Sequence, residues 1–458
     1  MFPSIYFNLN GKRVKYDGNP SSRLLHTLRN EFKLTGTKCG CLEGECGACS
    51  VIIDGKLHNS CLVAMGTLQD RDVVTIEGYS KTERFSALEK AYTSVSAVQC
   101  GFCIPGMMLA SECLLAANLS PTNAEIREAI SGNLCRCTGY DSIVKAIEIA
   151  SKNIQNQNMS TDNPSDTLIL PPPKPDESRF FSSESSRASL KDALSSLKDN
   201  PNLVPYTGGT DLMVESDCAQ KQYLFLGHLD ELKQIAEDDK YIRFGAACSF
   251  TQVIESKLTP GILRDMCRQI AAPSIRNAGS LGGNIANGSA KADSALVFTV
   301  TDSMLRLVRI SGEQIIERVI PIRDFYLGGS KTALADGELI AEILMPKHGI
   351  DNYCLEKVGA RNALAISRVS FAGIMNIKDN VILNCAAAFG AVADTIIRFP
   401  DIEKMLIGKT IEEAKASRGS YLSAYVSAIV PRRGRVGIAY RKDVCMNLLD
   451  FFLSKNNI

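Results

Sequence analysis

The run GTKCGCLEGECGACSVIIDGKLHNSC, residues 36–61, decides how the chain is read. It spaces Cys41, Cys46, Cys49 and Cys61 as C-x4-C-x2-C-x11-C. Three of these thiols share a loop with Gly40, Gly44 and Gly47, residues that let a backbone wrap tightly and turn its N–H groups toward sulfur. The fourth lies beyond Asp54-Gly55, a two-residue hairpin signal. Reflecting the chain about that turn places Cys61 almost opposite Cys49.

The first two gaps are those of a plant-type 2Fe–2S site. A structural zinc site also takes four cysteines, although zinc loops more often show paired C-x2-C knuckles. Cys39, two residues before the first of the four, has packing as its simplest role. Asn10-Gly11, inside IYFNLNGKRVKYD, is a second hairpin signal, and SSRLLHTLRNEF between the hairpins is a short amphipathic helix. Residues 1–80 are therefore expected to form a small β-rich domain.

A second cysteine set lies in residues 81–152, whose pattern is helical. Cys100, Cys103, Cys135 and Cys137 are spaced C-x2-C-x31-C-x-C. Pro105 suits the first position of a helix that Asn118 stops. Thr122 and Glu125 form a capping box, and Ile143, Ile147 and Ala150 recur on one helical face. The thiols thus sit at helix ends, and antiparallel packing would unite the two half-sites. Taken alone, the set suits a cluster, a zinc ion or a C-x-x-C redox pair. Cys113, inside an apolar helix, reads as core.

Residues 153–177 are polar and then Pro-rich, the composition of a linker. Residues 178–348 alternate helices with short strands in an α+β pattern, and 349–458 form a further mixed segment of strands followed by helices. The 458 residues carry 51 Lys+Arg and 50 Asp+Glu, a net charge of +1, so nothing electrostatic points to nucleic acid or an anionic membrane. No apolar run reaches the ~18 residues of a membrane span, and the N-terminus lacks a signal-peptide pattern; a cytoplasmic protein is expected. In that reducing compartment cysteines read as ligands rather than disulfides. Ten of the 16 fall at or before position 137. The four histidines form no spaced set.

Two glycine-rich loops remain, VPYTGGTDLMV (204–214) and SIRNAGSLGGNIANGSAKAD (274–293). Consecutive glycines can converge backbone N–H groups on an anion such as a pyrophosphate. Neither loop is a P-loop or a Rossmann fingerprint, and tight turns account for both by themselves.

The runs GTKCGCLEGECGACSV, VQCGFCIPGMM and GNLCRCTGY resemble the two-cluster module of the molybdenum hydroxylases, the family of xanthine dehydrogenase and aldehyde oxidase. The resemblance extends over nearly the whole chain, to the iron–sulfur/FAD subunit of xanthine dehydrogenase-like members. It implies an α+β multidomain fold: a β-grasp ferredoxin-like domain (1–80), a four-helix 2Fe–2S domain (81–152), a vanillyl-alcohol-oxidase-type FAD domain (178–348) and a C-terminal α+β flavoprotein domain (349–458). It implies that Cys41, Cys46, Cys49 and Cys61 bind one 2Fe–2S cluster, and that Cys100, Cys103, Cys135 and Cys137 bind the other. Gln99 matches the position that touches the molybdopterin of a partner subunit. Pro205, Tyr206, Thr207, Gly208, Gly209, Thr210, Asp211 and Leu212 would line the FAD diphosphate. Ser280, Leu281, Gly282, Gly283 and Asn284 would form a second cradle. Asp293 would hydrogen-bond the cofactor, Ile270 and Ile340 would pack on it, and Lys357 matches a flavin-contacting lysine. Without the resemblance Lys357 reads as a surface lysine. Arg361 is a further candidate, for binding an acceptor. Two departures are Cys39, usually apolar in the family, and Ser289-Ala290, usually Ser-Pro.

No residue here is expected to be catalytic. The resemblance implies a hetero-oligomer in which a molybdenum-binding large subunit oxidises the substrate and this chain passes electrons through two clusters to FAD and then to an acceptor such as NAD+. Xanthine or hypoxanthine leads as substrate, with another N-heterocycle or an aldehyde as alternatives. A free-standing iron–sulfur flavoprotein reductase and a zinc-binding interaction protein are the readings from other classes.

Overall fold

The computed structural model describes residues 4–156, 189–347, 349–350, 352–434 and 437–458. The chain divides into two compact units. One gathers the described residues of Met1–Arg187 with Leu203–Gly227 and Ala271–Gly279; the other gathers those of Ala188–Asn202, His228–Ile270 and Ser280–Ile458.

The first unit opens on a five-stranded sheet of order β2-β1-β5-β3-β4, formed by β1 (Ile5–Leu9), β2 (Lys12–Tyr16), β3 (Ser50–Ile53), β4 (Lys56–Asn59) and β5 (Asp72–Val74). Both hairpins turn where the sequence places them. Asn10 and Gly11 have φ of 50° and 78°, and Asp54 and Gly55 have 48° and 76°. Two successive positive φ values match the right-handed twist of the flanking strands. β1 and β5 pair in parallel, so the sheet is mixed. Helix α1 (Leu24–Asn30) turns Leu24 and Leu28 onto Phe7, Val51 and Ile53, the grasp of a helix by a small sheet.

His58 on β4 is buried opposite Val51. Burial, with Arg71 and Lys56 nearby, pushes its imidazole down to about 3. The folded state thus binds this proton more weakly than the unfolded chain, whose histidine titrates near its ordinary ~6.5. The stability that neutral His58 contributes is complete above pH ~6.5 and is lost as pH falls toward the folded value. Denaturant titrations should accordingly show stability falling by up to about 1.4 kcal/mol per pH unit between pH 6.5 and 5.5. His58→Gln should flatten that slope, and an unchanged slope would reject the assignment.

Helices α2 (Ile76–Tyr79), α3 (Glu83–Ser94), α4 (Ile104–Ala117), α5 (Asn123–Ala129) and α6 (Asp141–Asn156) complete the main body of this unit. The four longer ones close around Leu88, Met107, Leu109, Ile126, Ile143 and Ile147. Pro105 is the second residue of α4 rather than the first, because Ile104 already follows the cap at Cys103. The capping box of Thr122 and Glu125 starts α5. α6 runs to Asn156, four residues into the stretch read as linker, whose remainder lies outside the described residues. A buried ion pair crosses the bundle: Arg84 Nε donates to Glu112 at 2.7 Å, and the Tyr79 hydroxyl donates to the other carboxylate oxygen at 2.6 Å.

The second unit holds two large sheets and the short pair Tyr326–Gly328 with Lys331–Thr332. Five antiparallel strands run in the order Gln314–Pro321, Met304–Ser311, Leu339–Pro346, Tyr241–Gly245, Ile235–Glu237. A four-stranded sheet follows from Tyr353–Val358, Val369–Lys378, Val381–Gly390 and Ile397–Arg398. Its long strands are apolar on both faces because each face has its own core. Ala372, Ile374, Ala386 and Ala388 point to the core shared with helix Asp293–Val300. Phe371, Met375, Cys385 and Phe389 point to the helices Ile411–Ala428 and Ile438–Lys455. Among the described residues no helix is long and apolar enough to cross a membrane.

Candidate iron–sulfur and flavin sites

Cys41, Cys46 and Cys49 lie on the loop between α1 and β3, and Cys61 lies on the single turn Ser60–Leu62 after β4. The loop is tight. A Cβ on Gly40 would stand 2.7 Å from Cys46 Sγ, and Leu42, Gly44 and Gly47 have φ of 63°, 75° and 65°. Its N–H groups point at sulfur: Glu43 donates to Cys41 at 3.4 Å, Glu45 and Cys46 also reach Cys41, Ala48 reaches Cys46 and Gly44 reaches Cys61. Such donors stabilise thiolate charge on bound iron.

The thiols close two by two. Cys41 meets Cys46, and Cys49 meets Cys61. In the helical domain Cys103 meets Cys135, and Cys137 lies 3.7 Å from Cys100. Two pairs per site suit a dinuclear cluster, in which four thiolates surround two irons. The residues therefore fit two 2Fe–2S clusters.

Within the pairs the protons are unevenly held. Hydrogen bonding from Cys46 brings the Cys41 thiol down to about 5, and Cys46 rises correspondingly. Cys49 is likewise lowered by Cys61, which rises. Burial and the neighbouring Cys135 push Cys103 up to about 12. Loading the sites must expel the retained protons, so metal uptake is linked to pH.

Cys100 and Cys103 precede α4, and Cys135 and Cys137 lie between α5 and α6, so the two half-sites do meet at helix ends. This end is open. Cys100 and Cys137 are exposed, as are Val98, Gln99, Phe102 and Leu134. The Gln99 amide donates to the Ser96 carbonyl at 3.5 Å. Cys113 packs against the helical core. Cys39 is exposed, so packing does not explain it.

The two cysteine loops stand back to back, a feature the spacing did not reveal. The Leu134 N–H donates to the Cys46 carbonyl at 2.9 Å, and the Asn133 amide donates to Gly47 at 3.1 Å and to Ser50 at 3.2 Å. A Cβ on Gly106 would lie 2.2 Å from the Gly47 oxygen, and one on Gly47 would lie 2.4 Å from the Gly132 oxygen. Two glycines, Gly47 and Gly106, thus permit the approach. Each was visible in the sequence, but their mutual contact was not.

The first glycine loop belongs to the same unit. A Cβ on Gly208 would lie 1.7 Å from the Ala278 carbonyl oxygen, and Gly209 has φ of 65° with the Tyr206 hydroxyl 2.0 Å from where its Cβ would stand. Among the described residues no hydrogen bond takes up the N–H groups of Gly208, Gly209, Thr210 or Asp211. Such a loop fits an anionic diphosphate. Pro205 and Asp211 are exposed and Thr207 half-buried, whereas Leu212 packs into the core beneath. The Tyr206 side chain is also turned away from a lining role. It is buried, and its hydroxyl lies 3.3 Å from the Leu62 carbonyl and 3.4 Å from the Ala64 N–H. Leu62 is the neighbour of Cys61.

The second loop opens a short helix. Ser280 caps the short helix Leu281–Ala286 by accepting from Gly283. Leu281 donates to Cys248 at 3.0 Å, Gly282 to Ala246 at 2.8 Å and Asn284 to Ser280 at 3.0 Å. The N–H groups of residues 281–284 are therefore already used, and Gly282 serves close packing: its Cβ would lie 2.5 Å from that of Ala246. Asn284 accepts from Ser294 at 2.6 Å.

Elsewhere in the second unit, Lys357 is no surface lysine. Its ammonium pairs with Asp293 at 2.7 Å, both side chains being 8% exposed, and donates to the Gln269 carbonyl at 2.9 Å. Ser367 donates to the other Asp293 oxygen at 2.9 Å. Ile340 is buried in the core, with Ile270 packed against it. Arg361 donates to the Leu364 carbonyl of its own loop at 2.7 Å.

Four family profiles match the chain in series. They are a 2Fe-2S iron-sulfur cluster binding domain (residues 7–73), a 2Fe-2S binding domain (75–148), an FAD binding domain in molybdopterin dehydrogenase (183–348) and a CO dehydrogenase flavoprotein C-terminal domain (356–455). The nicotinate dehydrogenase small FeS subunit of Eubacterium barkeri is 43% identical over 153 residues, covering 33% of this chain and 98% of its own. Xanthine dehydrogenase of Drosophila pseudoobscura pseudoobscura is 27% identical over 97% of this chain, which spans 38% of that protein's length. In structure, CO dehydrogenase from Oligotropha carboxidovorans matches with a TM-score of 0.54 at 22% identity, over 59% of this chain and 95% of that one, a likeness of fold. The chain belongs to the molybdenum hydroxylases, a family of oxidoreductases, and carries their iron–sulfur and FAD domains.

Proposed function

We propose that the chain conducts electrons from a molybdopterin-bound molybdenum centre on a partner large subunit, through two 2Fe–2S clusters, to FAD. NAD+ is the leading final acceptor and xanthine or hypoxanthine the leading substrate. Another N-heterocycle or an aldehyde is the alternative substrate, since nicotinate dehydrogenase and aldehyde oxidases are relatives as well. The observation that carries this reading is the gradation along the first unit. An open cysteine site rimmed by Gln99, Val98, Phe102 and Leu134 gives way, through the Leu134–Cys46 hydrogen bond, to a site whose Cys49 and Cys61 are buried. The rim suits a protein partner that covers the open site and shortens the path of the electron. Beyond Cys61, Tyr206 ties Leu62 to the first glycine loop. Bound clusters supply one-electron steps, and FAD couples them to a two-electron acceptor. The chain's own residues hold these groups, exclude water from the inner site and set the order of transfer.

The purified protein should contain about four irons and four sulfides per chain, with one FAD, and a molybdenum-bearing partner should co-purify. Cys46→Ala should remove one of two paramagnetic cluster signals and leave the other. A colourless zinc protein, or the persistence of both signals in Cys46→Ala, would overturn the reading. Reduction of the complex by xanthine, nicotinate or an aldehyde then decides the substrate.

A further inference from the structure

Arg23 is a charged residue that neither the cysteine spacing nor the glycine loops single out. It precedes α1, is 8% exposed, and among the described residues no carboxylate pairs with it. Its guanidinium donates to the Leu42 carbonyl at 2.9 Å and to Cys218 Sγ at 3.4 Å. Burying a cation against a carbonyl and a sulfur is unfavourable unless an anion lies near. Leu42 follows Cys41 directly, and its left-handed backbone, with φ of 63°, is one that a leucine adopts only under constraint. Leu42, Cys49, Cys61 and Cys218 pack in one cluster of side chains around this spot. Beside the carboxylates of Glu215 and Asp217, which share the Tyr223 neighbourhood with Arg23, four thiolates on iron would supply negative charge here that deepens when the cluster takes up an electron.

We propose that Arg23 is a positioning residue that raises the reduction potential of the ferredoxin-like cluster, making it the better electron acceptor of the two, while its hydrogen bond holds the strained Leu42 peptide in the cluster loop. This rests on the 2Fe–2S reading of Cys41, Cys46, Cys49 and Cys61. A fixed cation at one end of an anionic site favours its more negative state. Because the guanidinium is buried, salt screens the effect weakly. At the opposite end of the relay Cys100 and Cys137 face solvent, and Arg136, between Cys135 and Cys137, is exposed and therefore screened.

The test is an anaerobic redox titration of the intact protein followed by electron paramagnetic resonance, the two signals being assigned with Cys46→Ala. In Arg23→Met the ferredoxin-like cluster should titrate at a more negative potential. At a fixed potential its ratio of reduced to oxidised form should fall roughly tenfold, while the helical-domain cluster stays put. Arg23→Lys, which keeps the charge, should restore most of the potential, and Cys218→Ser, which removes only the sulfur, should leave it near the native value. An intact cluster in Arg23→Met titrating at the native potential would overturn the proposal, as would equal shifts in Met and Lys variants, which would mark a loop-holding role alone. If the wild-type protein holds no cluster, the underlying cofactor reading fails instead.

Discussion

Valine in place of Gly208 is expected to strip FAD from the protein, lowering flavin content at least tenfold while iron and sulfide stay at wild-type levels. The reason is local and severe. Even a methyl at this position would meet the Ala278 carbonyl oxygen at 1.7 Å and its carbon at 2.4 Å. Both atoms are backbone, so the conflict cannot be relieved by turning a side chain, and the loop must move. Movement would displace the N–H groups of residues 208–211, which are left for a diphosphate to use. Gly419→Ala is the control: it sits within the helix Ile411–Ala428 with open space around its Cβ. There alanine should gain up to about 1 kcal/mol of stability and leave flavin untouched. Flavin per polypeptide, read from the visible spectrum after gel filtration, decides the matter. Full retention in Gly208→Val would place the diphosphate elsewhere.

The second large effect is expected at Glu112. Its carboxylate is fully buried and receives both the Arg84 guanidinium and the Tyr79 hydroxyl, and Arg84 itself is 2% exposed. Glu112→Leu leaves that guanidinium in the helical core without a counter-charge, a change that costs about 3–5 kcal/mol. α4 carries Glu112 in its interior and is capped by Cys103. Loosening the helix should therefore release the cluster of the helical domain before that of the ferredoxin-like domain. Adding Arg84→Met removes the stranded charge and should recover most of the loss. Denaturant unfolding monitored by each cluster's signal separates the two domains. A single variant as stable as wild type, or a double variant no better than the single, would contradict this account.

Some features of the chain were legible because they are local. Two-residue turns at Asn10-Gly11 and Asp54-Gly55 need only their own φ angles, and the Thr122–Glu125 box needs one turn of helix. Cysteine spacing belongs to the same class. A thiol-rich loop followed by a hairpin must return its fourth cysteine beside the third, and the Cys49 carbonyl does accept from Ser60 N–H, next to Cys61, at 3.1 Å. The second glycine loop shows where such reading ends. Its Gly-Gly pair resembles an anion cradle, and in the fold its N–H groups bond to Cys248, Ala246 and Ser280. Whether a backbone donor is free depends on what packs against it, and sequence pattern carries no record of that.

The sequence by itself marked out two sets of four cysteines, a two-hairpin sheet, a helical segment and α+β segments, because each follows from periodicity, turn chemistry or spacing within a few dozen residues. Tertiary structure alone decided how these parts serve one another. It set Gly47 against Gly106 and Gly132, sent Tyr206 to Leu62 across 144 residues, paired Lys357 with Asp293, and buried Arg23 beside Leu42. Those contacts join segments far apart in the chain, and their partners are selected by shape and charge only once the cores have formed.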